Sequence, residues 1–294
     1  MKKVYVMALA LCLTAMAVYS QGVYVRVGLG GGVGLKQYGS VSLNPMDDTW
    51  QGMWANITST NNATTAEFKS LGLGGGFNVN LAAGYMLSQY VGLELGVNEF
   101  IGMAKKVNLS ATVSSGSYVV SQTIDLKRSG MMLQLVPAIV ITPGLESINP
   151  YARVGMIVGI LPSITSKGEG TATNTGGYKA TSSFTYKSVA NGGLALGFTA
   201  AGGVSFNLSD QIGLYGELVY NGITYSPKKG KFKEYKEDGI DNLPTMTTKD
   251  KEWTFEKELN DVDIPDGTPN KVAKTTVNFS NVELNVGIRI KFGE

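Results

Sequence analysis

The ionisable side chains that could do chemistry in this chain are few, and histidine is absent from all 294 residues. Many hydrolases and acyltransferases depend on a histidine as the general base, and none is available here. The carboxylates Glu94 and Glu217 could form an acid and base pair, but they are better explained as ionic partners of Arg153 and Arg289. We therefore expect no catalytic residues and no enzymatic activity.

Other sites for ions and cofactors are equally poorly supported. The single cysteine, Cys12, lies in the N-terminal segment, and no serine stands in a G-x-S-x-G motif. The glycine runs "GLGGGVG" and "GLGGG" do not complete G-x-G-x-x-G and are not followed by G-K-[ST]. The acidic stretch "DVDIPDG" at 261–267 lacks the spacing of a calcium loop and is interpreted as a solvated turn. We expect no metal and no cofactor.

The N-terminus is typical of a secretory signal peptide. Two lysines precede an apolar run from Val4 to Val18, and a small residue, Ser20, stands before Gln21. The alternative, a single transmembrane helix, would be short for a span of about 20 residues. We expect a signal peptide over 1–20 and one domain over 21–294. The net charge of +2 does not suggest a nucleic-acid partner.

The elements that must position the charges are β-strands, since apolar residues recur at every second position. The last such segment is the clearest, and its aliphatic and aromatic positions are Val282, Leu284, Val286, Ile288, Ile290 and Phe292. Seven further segments alternate in the same way, near residues 23–35, 77–87, 91–98, 130–142, 151–160, 194–208 and 212–221. Pro137 lies inside the fourth segment and predicts either a bulge or a mistaken assignment.

The connections between these segments alternate in length. Short connections lie at 88–90, 143–149 and 209–210, and long ones lie near 36–72, 106–129, 166–191 and 226–275. This is the arrangement of an all-β, eight-stranded antiparallel up-and-down transmembrane β-barrel with short periplasmic turns and long extracellular loops. The last loop carries nearly balanced charges and could extend the seventh and eighth strands as a hairpin.

The residues that alternate with the aliphatic ones form the second face of each segment, and their composition indicates which face points into the barrel. This second face consists mostly of Gly, Ala, Ser, Thr and Asn with isolated charges, which suits a narrow interior, and the aliphatic face would then contact lipid. An Arg or Lys turned to lipid at mid-depth would cost about 2–4 kcal/mol. The predicted interior charge cluster is Glu94, Arg153, Glu217 and Arg289, and the further interior charges are Arg26, Glu283 and Lys291.

Aromatic residues near the strand ends suggest interfacial girdles, with ordinary β-propensity as the alternative explanation. The predicted girdle at the short-turn end contains Tyr85, Tyr90, Phe206 and Phe292, and the other contains Phe77, Phe100, Tyr225 and Phe279.

The stretches "YARVG", "AGGVSFNLSDQIGLYGELVYNGI" and "VGIRIKFGE" resemble the eight-stranded outer-membrane barrels related to the OmpA barrel. The resemblance implies insertion in the outer membrane and an interior Arg/Glu cluster that obstructs the lumen, with Glu217 at a matching position. It also implies a terminal strand whose aromatic residue, here Phe292, is read by the assembly machinery. The sequence stops at Glu294, so we do not expect a peptidoglycan-binding domain or a wall-anchoring role.

Three functions are compatible with these patterns. The first is a non-enzymatic integral outer-membrane barrel, monomeric and with a filled lumen, whose loops contribute to envelope integrity or contact an unidentified extracellular partner. The second is a narrow channel for water or ions gated by the interior Arg/Glu cluster. The third is a secreted soluble ligand-binding barrel whose aliphatic face lines a cavity. Outer-membrane lipids and the assembly machinery are the partners expected for the first.

Overall fold

The computed structural model describes residues 22–36, 55–60, 63–145, 147–175, 180–259 and 264–292. The predicted signal peptide and part of the predicted 36–72 loop lie outside these ranges. Within them the chain is built almost entirely of strands, which confirms the predicted all-β class. One single-turn helix, α1 (Thr248–Lys251), follows a 3-10 turn at Leu243–Thr245. The described helices are all too short to cross a membrane.

The described strands belong to one sheet of seventeen. In chain order they are β1 (Val23–Gly34), β2 (Ala55–Ser59), β3 (Thr64–Phe68), β4 (Gly76–Met86), β5 (Val91–Gly102), β6 (Lys105–Ser115), β7 (Tyr118–Ile141), β8 (Ile148–Asn174), β9 (Ala180–Asn191), β10 (Ala195–Asn207), β11 (Ile212–Tyr225), β12 (Lys229–Glu237), β13 (Ile240–Asp241), β14 (Glu252–Glu256), β15 (Asn270–Ala273), β16 (Val277–Asn278) and β17 (Asn281–Phe292).

Eight of these strands pair in a ring. The antiparallel pairings run from β1 through β4, β5, β7, β8, β10, β11 and β17 back to β1. A path through directly opposed residues leaves β1 at Val23 and returns to it at Val33, a stagger of ten residues. Such a stagger over eight strands about 4.8 Å apart tilts each strand by about 40° from the ring axis. The ring strands correspond to the eight segments that alternate in sequence.

The two ends of the ring differ. The turns at 87–90 and 208–211 and the residues 142–145 lie at one end, the short-turn end, together with Val23 and Phe292. At the other end β7 and β8 continue beyond the ring, and β6, β9 and β12 pair beside them in the order β6-β7-β8-β9-β12. We call these continuations of β7 and β8, with β6, β9 and β12, the surface extension.

The structure has paired strands where the sequence predicted long loops. The stretches expected to be loops near 106–129, 166–191 and 226–275 contain paired strands over much of their length. Alternation is present in part, because Val107, Leu109 and Val113 of β6 stand between polar residues, but serine, threonine and lysine dominate these stretches and leave only a weak apolar face. The 226–275 stretch was also expected to form a hairpin that continues the seventh and eighth ring strands. Its first strand, β12, pairs instead with β9 of the surface extension.

Pro137 does not disturb the register of the ring. The pairing of β7 with β8 keeps the same register on both sides of Pro137, whose ring faces outward. Both predicted alternatives, a bulge at this residue and a mistaken strand assignment, are therefore wrong. The register shifts instead between Met131 and Leu133 of β7. The extra residue on β8 is Leu161, whose φ of 52° lies in the left-handed region. The bulge therefore lies where the ring gives way to the surface extension.

The outward face of the ring strands is apolar. Large aliphatic side chains on it are highly exposed, as with Leu29 (62%), Met156 (64%) and Leu284 (61%), while the alternating positions are mostly buried. This is the face that the alternation assigned to lipid. Among the described outward-facing positions of the ring strands, Glu99 is the charged one, because it lies two residues after the outward-facing Val97 of β5.

The inner face of the ring near the long-connection end is filled by an apolar cluster, which we call the plug. Its buried members are Leu71, Leu73, Phe100, Met132, Val136, Ile157, Ile164, Ala195, Ile223, Tyr225, Val277 and Phe279. The assignment of Phe100, Tyr225 and Phe279 to an interfacial girdle is therefore wrong. Phe100 sits at an even position of β5, on the same face as Glu94, so its side chain points inward.

Candidate functional site

Glycines make room for the large polar side chains inside the ring. A Cβ added at Gly28 would collide with the hydroxyl of Tyr215, and one at Gly84 would collide with the ring of Tyr24. A Cβ at Gly30 would collide with the amide of Asn285. The inward-facing glycines therefore let large side chains cross a narrow interior, both from adjacent strands, as with Tyr24 and Asn285, and from β11, two strands away, as with Tyr215.

Two arginines and two glutamates form an ionic cluster inside the ring. Arg26 Nη2 lies 2.9 Å from Glu94 Oε1, and Arg26 Nη1 lies 3.1 Å from Glu217 Oε2. Arg153 Nη2 lies 2.7 Å from Glu217 Oε1, and Arg153 Nε lies 3.7 Å from Glu94 Oε1. All four side chains are more than nine-tenths buried. Each carboxylate therefore contacts both guanidinium groups, and the formal charges of the four ions cancel.

Neutral side chains complete the hydrogen bonding of the carboxylates. The hydroxyl of Tyr24 donates to Glu94 Oε2 at 2.9 Å, and that of Tyr151 donates to Glu217 Oε2 at 2.9 Å. Asn285 Nδ2 donates to Glu217 Oε1 at 3.2 Å. Buried carboxylates are stable only when their lone pairs are satisfied in this way. The cluster is thus a connected network in which four donors reach Glu217.

The sequence predicted Arg289 as the second arginine of the ionic cluster, but the structure places Arg26 in that position. Arg289 lies directly across from Arg26 on the neighbouring strand, and its guanidinium stacks on the ring of Tyr24 at 3.9 Å from the centroid. In the described part of the chain Arg289 forms no ion pair. The structure thus brings Glu94, Arg153 and Glu217 together and makes Arg26 their fourth member.

The remaining predicted residues lie around this cluster. Glu283 is buried and accepts from the amides of Asn281 and Asn285 at 3.5 and 3.4 Å. Lys291 Nζ donates to Asn207 Oδ1 at 3.0 Å near the short-turn end. Phe292 ends β17 opposite Val23 of β1. Its role as an assembly signal stays a prediction.

Several members of the network carry no charge, and the sequence reasoning did not single them out. They are Tyr24, Asn78, Asn80, Tyr151, Tyr215 and Asn285. Tyr215 donates to Asn80 Oδ1 at 2.8 Å, and its ring lies 4.6 Å from the guanidinium carbon of Arg26. A signal was present, because alternation places these residues on the same face as the charges.

The ionic cluster leaves almost no space for a ligand. The cavity lined by the four ions has a volume of about 10 Å³, which is about the size needed for one water molecule. Acid and base catalysis needs a substrate within hydrogen-bonding distance of the carboxylates, and this cavity admits none. No group of three or more acidic, cysteine or histidine residues suited to a metal occurs in the described ranges. The geometry supports a structural role for the cluster.

The plug closes the interior above the ionic cluster. The backbone N–H of Leu73 donates to the carbonyl of Asn278 at 3.1 Å, and Asn281 Nδ2 donates to the carbonyl of Gly74 at 2.9 Å. These bonds hold the segment before β4 against the segment before β17. Phe279 packs edge to face against the neighbouring aromatic rings of Phe100 and Tyr225, each with a centroid distance of 6.1 Å.

The surface extension has a small apolar core of its own, in which Leu109, Ile124 and Leu126 are buried. Tyr186 packs against this core, and burial raises the pKa of its hydroxyl above the ordinary value. Phe232 joins it edge to face with Tyr186 at 5.6 Å and with Trp253 at 5.2 Å. The extension is thus a packed, ordered structure.

Comparisons with known proteins give matches in structure and none in sequence. The chain matches no protein-family model and no curated protein, so the resemblance to OmpA-related barrels has no specific support from them. Among solved structures the chain is similar to the outer membrane protein OprG from Pseudomonas aeruginosa, with 13% sequence identity and a TM-score of 0.41. That similarity covers 94% of this chain and 98% of the OprG chain.

Proposed function

We propose that this protein is a non-enzymatic, integral outer-membrane barrel of eight strands with a filled lumen, whose surface extension contributes to envelope integrity or external contacts. The observation that carries this proposal is the apolar outward face, which continues around all eight ring strands. An exposed apolar surface of this extent is unfavourable in water and requires a partner. Lipid hydrocarbon is the partner that meets every side of a closed ring.

The height of the apolar face fits a membrane. On β17 the outward row runs from Val282 to Phe292, about 33 Å along the strand at 3.3 Å per residue. At a strand tilt of about 40° this row spans about 25 Å along the barrel axis. The lipid-facing band of outer-membrane barrels is about 25 Å tall. The ring therefore has the dimension that spanning the hydrocarbon layer requires.

The filled interior favours a closed barrel over a narrow channel. A conducting path would have to pass the ionic cluster, where the cavity measures about 10 Å³, and then the apolar plug. Burying an ion beside an apolar layer is costly, so two successive barriers of different chemistry oppose conduction. The arrangement also weighs against a soluble ligand-binding barrel, since such a fold would turn its aliphatic face inward and its ions toward water.

The proposed topology follows from the two ends of the ring. The short turns would face the periplasm and the surface extension would lie outside, as is typical of outer-membrane barrels. The predicted signal peptide agrees with export, and Phe292 would be available to the assembly machinery at the end of β17. A ring that closes through β1 and β17 leaves no ring strand with a free edge, which supports a monomer.

Three measurements test the proposal. The protein should be extracted from the outer-membrane fraction only with detergent, and its migration on a gel should change on heating. In planar bilayers the purified protein should show no steady openings. Release without detergent would contradict the membrane assignment. Steady, large openings would contradict the filled lumen and favour the channel function.

A further inference from the structure

Four lysines stand in a row across the surface extension. Lys106, Lys127, Lys167 and Lys187 lie on β6, β7, β8 and β9, and each is directly opposite the next. Like charges directly opposite one another destabilise a sheet. A row of four such positions therefore needs a compensating negative charge.

The part of the chain that the structure describes supplies only some of that charge. Lys187 Nζ forms an ion pair with Glu234 Oε1 at 3.3 Å. No ion pair or side-chain hydrogen bond to a described residue is made by Lys106, Lys127 or Lys167. The neighbouring acidic residues are Asp125, which accepts from Asn108 Nδ2 at 2.8 Å, and Glu169. Among the described residues, these three ammonium groups have no direct partner.

The lysine row lines a cleft large enough for a polar ligand. The cleft has a volume of about 600 Å³, and its charged lining comprises Lys106, Lys127, Lys167, Lys187 and Lys236 with Asp125, Glu169 and Glu234. Five lysines against three acidic residues leave the lining positive. Its size lies in the range of small-molecule sites, so a phosphorylated headgroup would fit.

The row lies directly above the proposed lipid-facing band. Lys127 is on the same face of β7 as the exposed Met131, four residues further along the strand. That separation is about 13 Å along the strand, or about 10 Å along the axis at a tilt of about 40°. The headgroup layer is about 5–8 Å thick on each side of the hydrocarbon, so lysines at this height can extend their ammonium groups back into it.

We propose that the lysine row binds the phosphate groups of anionic lipids in the adjacent leaflet. This inference rests on the proposed membrane-spanning function. The row continues the outward face of the ring, so its ligand approaches from the side of the bilayer. Ser129 and Thr165, which are paired across β7 and β8 between the band and the row, add hydroxyl groups to the same surface.

The test is a titration of the folded, detergent-solubilised protein with diphosphorylated lipid A, with bound lipid counted by native mass spectrometry. Replacing Lys106, Lys127 and Lys167 by glutamine should weaken binding by about fivefold per lysine, or about 100-fold together. The matched control replaces Lys257, Lys271 and Lys274, which are exposed residues outside the cleft, and should leave affinity within about twofold of the original protein.

Each outcome decides the proposal. Equal affinity in the two triple variants, or equal binding of dephosphorylated lipid A, would overturn it. Displacement of the lipid by an equal concentration of inorganic phosphate would also contradict it, because the lysine row would then bind a soluble anion rather than a lipid. Heat-modifiable migration and insertion into phosphatidylcholine vesicles are measured on the same samples. A protein that inserts but shows no lysine dependence refutes this inference alone, whereas one that fails to insert refutes the proposed function as well.

Discussion

Replacing Glu217 with glutamine tests whether the ionic cluster holds the barrel together. Glu217 contacts both buried arginines, at 3.1 Å from Arg26 and 2.7 Å from Arg153. Glutamine preserves the shape of the side chain and removes its charge. Two buried guanidinium groups would then share one carboxylate, that of Glu94, and the interior would hold an uncompensated positive charge.

The expected cost follows from that geometry. Removing one partner of a buried ion pair costs about 3–5 kcal/mol because the remaining charge has no compensation. The glutamine oxygen can still accept one hydrogen bond, so we expect a value near 3 kcal/mol. An exposed ion pair contributes only about 0.2–1 kcal/mol. Glu234→Gln, which breaks the exposed pair with Lys187, is therefore a control with the same chemical change.

The assay is reversible urea unfolding of the protein in phospholipid vesicles, followed by the loss of heat-modifiable migration and by circular dichroism. The free energy of unfolding should fall by about 3 kcal/mol for Glu217→Gln and by less than about 1 kcal/mol for Glu234→Gln. The double variant Arg153→Met with Glu217→Gln should recover part of the loss, since it restores the balance of charge. Equal effects of the two single variants would refute the interpretation of the cluster as a stabilising network.

Other substitutions test the faces of the ring by the same unfolding measurement. Gly28→Ala should lower the free energy of unfolding by about 1–3 kcal/mol, since its Cβ would meet Tyr215, whereas Gly202→Ala has free space and should cost nothing. Phe279→Ala should cost about 3–5 kcal/mol by opening a cavity in the plug, and unchanged stability would contradict its burial. Glu99→Val should be neutral or stabilising by up to about 1 kcal/mol, whereas a large loss would show that Glu99 does not face lipid.

The alternation of residues was sufficient to assign most side chains to a face. A strand has a period of two whatever its partners are, so Glu94 and Phe100 must lie on the same side of β5. The girdle prediction for Phe100 is wrong because this parity, and not the position near a strand end, sets the direction of its side chain. The same parity places neutral network members such as Tyr24 on the inner face beside Arg26, and only the tertiary structure shows which ions they contact.

The paired strands of the surface extension alternate more weakly than the ring strands, since Val107, Leu109 and Val113 of β6 stand among lysine, serine and threonine. Their stability comes from cross-strand pairing and from a small apolar core around Leu109, Ile124 and Leu126. The lysine row itself cannot be read from the sequence, because Lys106 and Lys167 become neighbours of Lys127 only when the register of three strands is known.

The sequence by itself determined that strands with an aliphatic and a small, polar face make up this protein, because that property depends on neighbours two residues apart. The tertiary structure decided which charges meet. Arg26 reaches Glu94 across 68 residues and Glu217 across 191, and only the stagger of the closed ring sets those distances. The same stagger places Arg289 across from Arg26, where it stacks on Tyr24. Local periodicity fixes the direction of a side chain, and the register between strands fixes its partner.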